Sequence, residues 1–90
     1  MTRIVLEPEL GIEAASALHA QLVPLLPSKK AVSIDGAAVG RLHGASLQVL
    51  AAFVAARSAA GRKTSFTDPA PLLRDGAQAL GLASTLGLDP

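Results

Sequence analysis

Three short runs rich in apolar or β-branched residues, Arg3–Leu6, Ala31–Ile34 and Lys63–Thr67, alternate with stretches of helical periodicity. That alternation constrains the fold more than any other feature. Strands joined through helices pair in parallel, and such crossovers are right-handed in nearly all proteins. Runs this short build only a small sheet. The reading is therefore an α/β domain spanning residues 1–90, with a mostly parallel sheet of three to four strands alternating with three helices. Phe53 and Phe66 are the only aromatics, and most of the apolar content is Ala and Leu. Small side chains let helices lie close on a sheet, but each adds little burial.

Within the first run, Ile4 and Leu6 share one face and Val5 takes the other, in a strand near the sheet edge. Residues 11–27 place Ile12, Ala15, Leu18, Leu22 and Leu25 at helical spacing, with Glu13 in the first turn and Pro24 and Pro27 as breakers. Asp35-Gly36 reads as a turn closing the second strand. The clearest helix runs from Gly44 to Gly61, with Leu47, Leu50, Ala51 and Val54 as its stripe. Ser46 or Gly44 is its expected cap, and Arg57 lies in its final turns, where cations suit the helix dipole. In the third run Thr64 and Phe66 share one face, Ser65 and Thr67 the other. Asp68-Pro69 reads as N-cap and first residue of a last helix reaching Leu80, stopped by Gly81, with ASTLGLDP as a tail.

Most chemistry is missing from the sequence. The net charge of +1 implies neither a strongly basic nor a strongly acidic face and argues against nucleic acid as partner. Without cysteine there are no disulfides, zinc thiolates or cysteine nucleophiles. Gly36, Gly40 and Gly44 match no phosphate-binding pattern, and His19 and His43 have no metal-ligand spacing. Ser46, His43 and Asp35 make a paper triad without the GxSxG elbow that would support it. No enzyme activity, cofactor or metal is expected. The start of the chain reads as neither signal peptide nor membrane span, so a cytoplasmic protein without membrane insertion is expected.

The informative stretch is VSIDGAAVGRLHGASLQVL, residues 32–50. A strand ends in Asp35, a loop follows, and a helix opens on Gly44, Ala45 and Ser46. Small residues there either cap and pack the helix or leave its backbone N–H groups open to a partner.

The segments VSIDGAAVGRL, HGASL, QVLAAFVAARSAAGRK, TSFTD and PLLRDGAQALGLASTLGL, in that order, resemble the STAS domain, the fold of bacterial anti-sigma factor antagonists. ELGIEAASALHAQL resembles the opening helix of that family, though the strand usually preceding it is pared down. The family's pattern Asp-Ser-Ser/Thr-Gly-Leu falls here on His43, Gly44, Ala45, Ser46 and Leu47, so Ala45 occupies the phosphoacceptor position without a hydroxyl. A switch by serine phosphorylation at the usual place is therefore not implied; Ser46, one place along, is the alternative. RLHGASLQVL resembles the R-L-G-G-x-x-L-Q-V-L stretch of small STAS proteins found with chemotaxis genes in alphaproteobacteria. The resemblance implies a non-catalytic module that binds a protein: a signalling kinase or receptor, or alternatively the ATPase of a phospholipid-transport ABC complex, or an anti-sigma factor. The expected surface comprises Asp35, Arg41, His43, Gly44, Ala45, Ser46 and Gln48, extended along the helix by Ala52 and Phe53.

Overall fold

The β-branched alternation resolves into a parallel sheet in the computed structural model, which describes residues 2–88. Its strands are β1 (Thr2–Val5), β2 (Glu9–Leu10), β3 (Val32–Asp35), β4 (Arg41–Leu42) and β5 (Thr64–Thr67). Its helices are α1 (Ala14–Leu22), α2 (Gly44–Ala59), α3 (Pro71–Ala79) and α4 (Ala83–Leu86). β1, β3 and β5 form one parallel sheet in that order, and β2 and β4 form a separate parallel pair. β1 is thus an edge strand, as its shortness suggests.

Register explains the burial. Ile4, Ile34 and Phe66 lie in one row across the sheet. They join Leu18 and Leu22 of α1 and Leu47, Leu50, Ala51 and Val54 of α2 in the core. The opposite face carries Arg3, Ser33 and Ser65 in one row and Val5, Asp35 and Thr67 in the next. All of these but Ser33 reach solvent. The period of two in each strand thus divides the sheet into a helix-covered face and a wetter one. Leu18 and Leu22 keep their places on the helical stripe, but Ile12 precedes α1 and is 62% exposed. The α1 helix gives way at Pro24 to a 3-10 turn over Val23–Leu25.

The other three helices end by a common device. Gly61 takes φ +74°, its N–H reaches Ser58 O (3.0 Å), and Arg62 N–H reaches Arg57 O (2.8 Å). That paired arrangement satisfies the last carbonyls of α2 and needs a residue free to adopt the left-handed conformation. Gly81 and Gly87 close α3 and α4 in the same way. The second of these closures turns the expected tail into α4, which packs on α2.

Two further differences concern helix starts. Asp68 does not cap α3; it adopts φ +48°, and the N-cap is Ala70 with Pro71 following. Proline still marks the start, two residues later than Asp68-Pro69 suggests, because Pro69 is spent crossing from β5. The cap of α2 is His43 rather than Ser46 or Gly44. Phe53 points into the core at 4% exposure and so does not extend an outer surface.

Arg57 is also inside. It is 0% exposed, the most voluminous fully buried side chain described. Its guanidinium donates to Leu25 O (2.7 Å), Ser28 O (2.9 Å), Lys30 O (2.9 Å), Lys63 O (3.0 Å) and Thr64 Oγ1 (2.8 Å). It also lies 5.8 Å from the centre of the Phe53 ring. Burial, and after it the positive charge of Arg62, push its pKa down from the ordinary value. A guanidinium nonetheless stays charged, and the full set of acceptors is what makes its burial tolerable.

Candidate functional site

The expected docking residues lie towards the carboxyl end of the sheet: Asp35 closes β3 on the face away from α2, and the others run from β4 into the start of α2. Asp35 ends β3. Its Oδ1 accepts from Ala37 N–H (3.0 Å) and its other oxygen pairs with the Arg3 guanidinium. The Ala37 N–H, and after it Arg3, hold the carboxyl below the usual carboxylate range. Gly36 follows in a tight place: a Cβ there would stand 2.7 Å from Leu73 Cδ2 and 3.5 Å from the Pro69 backbone. Its N–H reaches Thr67 O and its carbonyl accepts from Ala70 N–H, so one residue links β3, β5 and the approach to α3.

The loop from Gly36 to His43 is pinned rather than loose. Val39 is buried at 4%. Gly40 and Arg41 both donate to Pro8 O (2.9 and 3.0 Å), β4 pairs with β2, and His43 N–H reaches Leu10 O (2.8 Å). Those short pairings went unseen in the sequence because two-residue strands carry no periodicity. They aim Arg41 outward, where it lies 3.7 Å from Glu9 with both side chains well exposed. A pair that open adds little to stability.

His43 has extended backbone and its Nδ1 accepts from Ala45 N–H (3.0 Å). The carbonyl of His43 takes the N–H groups of Ser46 (3.0 Å) and Leu47 (3.3 Å). Three of the first four N–H groups of α2 are therefore already partnered. The helix start offers a partner room rather than donors: Gly44 and Ala45 are half-buried, and Arg41, His43 and Gln48 around them are exposed. Ser46 is different. It is 0% exposed and its hydroxyl donates to Gly11 O (3.4 Å), bracing the start of α2 against the β2–α1 turn from below.

Beside this start lies an apolar groove of about 230 Å³ between α2 and α3, lined by Leu42, Gly44, Leu47, Leu72, Gly76 and Leu80 among others. Leu72 and Leu80 are 42% and 47% exposed. A Cβ on Gly76 would stand 3.0 Å from Leu42 and 3.1 Å from Leu47, so glycine is what lets α3 come this close. Leu72 and Leu80 were not singled out from the sequence. The available signal was their place off the Leu73–Ala77 core stripe of α3, eight residues apart on one helix side.

A small parallel sheet with crossover helices on one face defines a small α/β domain. Among the described residues no group of three or more His, Cys, Asp or Glu side chains is placed to hold a metal, and no helix is long and apolar enough to cross a membrane. The family described as "Mlab, STAS domain" matches residues 1–88, and the chain belongs to the STAS domain family. No curated protein and no solved structure matches the chain. STAS domains are in general non-enzymatic regulatory modules that act through protein–protein interactions.

Proposed function

We propose that this chain is a regulatory interaction module of bacterial signalling, of the kind that accompanies chemotaxis genes, and that it docks a protein partner on the start of α2. The observation that carries the reading is the combination of half-buried Gly44 and Ala45 with exposed Arg41, His43 and Gln48 around them. Small side chains let a partner's backbone approach, while the polar residues fix its orientation at the rim. Ser46 serves this surface by the support it gives from beneath, while Asp35, paired with Arg3 on the sheet face away from α2, lies at its margin. Regulation here does not run through serine phosphorylation: Ala45 has no hydroxyl, and the Ser46 hydroxyl is sealed against Gly11.

A second reading draws on the groove beside the helix start. Leu72 and Leu80 give the surface an apolar component suited to a long-lived contact. That favours a permanently seated subunit, such as one on the ATPase of a phospholipid-transport ABC complex, over an anti-sigma factor antagonist that exchanges partners.

Ala45→Glu tests the surface. Glutamate in the first turn suits the helix dipole, so the fold is kept. Captured from native lysate, the parent chain is expected to hold its partner and the variant to lose it. Loss of a chemotaxis receptor or kinase supports the first reading, and loss of an ABC ATPase the second. Retention of the same partner by both chains removes the start of α2 as the docking site.

A further inference from the structure

A net charge of +1 conceals a partly sorted distribution, in which Arg3, Arg41 and Arg74 stay among the carboxylates. Lys29 and Lys30 precede β3, and Arg62 and Lys63 precede β5, so in a parallel sheet all four gather at its amino edge. The Arg57 guanidinium draws them closer still, because one of its nitrogens donates to both Lys30 O and Lys63 O. Every described carboxylate lies towards the other end. Glu7 and Glu9 follow β1, Glu13 immediately precedes α1, Asp35 closes β3 and Asp68 follows β5. Asp75 rides on α3 next to Gly76, which abuts Leu42 and Leu47. No ion pair involves Lys29, Lys30, Arg62 or Lys63 among the described residues.

At this basic end is a cavity of about 300 Å³, lined by Ser58, Arg62, Lys63, Thr64, Ser84 and Thr85 together with apolar floor residues. Among the described residues its polar side chains are two cations and four hydroxyls, with no carboxylate. Cations and hydroxyl donors in that ratio suit a tetrahedral oxyanion. The nearby end of α2 does not spoil this, because Arg57 O and Ser58 O are already occupied by the N–H groups of Arg62 and Gly61. Thr64 Oγ1 accepts from Arg57 Nε, which leaves the threonine proton to point elsewhere. The positive charge that Arg62 exerts on Arg57 is the same field an anion would relieve.

We propose that the cavity between Arg62, Lys63 and the Ser84–Thr85 turn binds a phosphate group, free or carried on a lipid headgroup. Arg62 and Lys63 neutralise its charge, and Thr64, Ser84 and Thr85 donate to its oxygens. The site is separate from the docking surface at the start of α2 and does not depend on it.

The test uses the full chain and inorganic phosphate, titrated at constant ionic strength against chloride while backbone amide shifts are followed. Saturable shifts confined to residues 58–64 and 84–87 are expected, weakened about tenfold or more in Arg62→Gln/Lys63→Gln. Both substitutions keep a long polar side chain at the surface, and an unchanged spectrum elsewhere verifies the fold. A second arm compares flotation with phosphatidylcholine vesicles against the same vesicles containing phosphatidic acid. Binding to phosphate alone supports the site with a soluble source. Binding to phosphatidic acid vesicles, lost in the double variant, supports it with a headgroup source. Shifts that match those from chloride with no vesicle binding, shifts spread over every lysine, or binding unchanged in the double variant each overturn it.

Discussion

At its start α2 is capped by a single 3.0 Å bond from Ala45 N–H to an exposed imidazole, while near its end a wholly buried guanidinium makes five bonds to two separate stretches of chain. The last carbonyls of α2 are met by the Gly61 and Arg62 N–H groups, so the guanidinium is left to serve backbone outside the helix. The two ends are thus held differently. The end of α2 draws the 25–30 turn and the start of β5 onto one side chain, so the fold is fastened there. The start is finished by local contacts that leave Gly44 and Ala45 partly open. Rigidity is thus concentrated away from the face proposed to meet a partner, and that face can change by substitution without unfastening the molecule.

The sharpest way to break this comparison is Arg57→Met. Methionine fills much of the volume but offers nothing to the carbonyls of Ser28 and Lys30. An acceptor buried without its donor forfeits about 1–3 kcal/mol. With several affected at once, a loss of about 3–5 kcal/mol is expected, a large part of what a domain of this size has. Urea midpoints of parent and variant measure it. Arg57→Lys, reaching fewer acceptors, should fall between them. A methionine variant within about 1 kcal/mol of the parent would show that the buried fan of hydrogen bonds holds nothing together.

A substitution at the opposite end should matter less. His43→Ala removes the Nδ1 acceptor but keeps the carbonyl that serves Ser46 and Leu47. Loss of a side-chain cap is worth about 0.5–2 kcal/mol, and an exposed single bond belongs in the lower part of that range. His43→Asn, a stronger cap by type, should restore the stability. An alanine variant as damaged as Arg57→Met would erase the distinction between the two ends.

Much of this could be read from the chain itself. Ile4 and Leu6 inward with Val5 outward, and the Leu47, Leu50, Ala51 and Val54 stripe, follow from periods of two and 3.6. Gly61 and Gly81 mark helix ends because glycine alone takes the left-handed closing position freely. The α2 cap escaped notice because histidine is not among the favoured capping residues, and neighbouring Ser46 is. Arg57 looked like a cation placed for the helix dipole. Nothing local says that Ser28 and Lys30, nearly thirty residues earlier, will close over it. The charge sorting was legible and missed: lysines before β3 and β5, aspartates after them, must lie at opposite edges once the strands are parallel. The overall charge of +1 obscured it.

The smallest expected effect lies at the carboxyl edge, where Asp35 holds Ala37 N–H and Arg3. Because those partners lower its pKa in the folded chain, the stabilisation they give is fully present above the ordinary aspartate value of about 3.9 and is lost as pH falls through the lower folded value. Asp35→Asn keeps an oxygen for Ala37 but cannot attract Arg3. The parent should therefore exceed the variant in stability by a constant margin from neutral pH to about 5, and the margin should close in more acid solution. Arg3→Gln should reproduce only part of that margin, since the Ala37 bond is the larger influence. Urea midpoints collected against pH decide it. A margin that stays flat through the acid range would mean that Asp35 titrates alike in both states, and that its partners orient the loop without holding it.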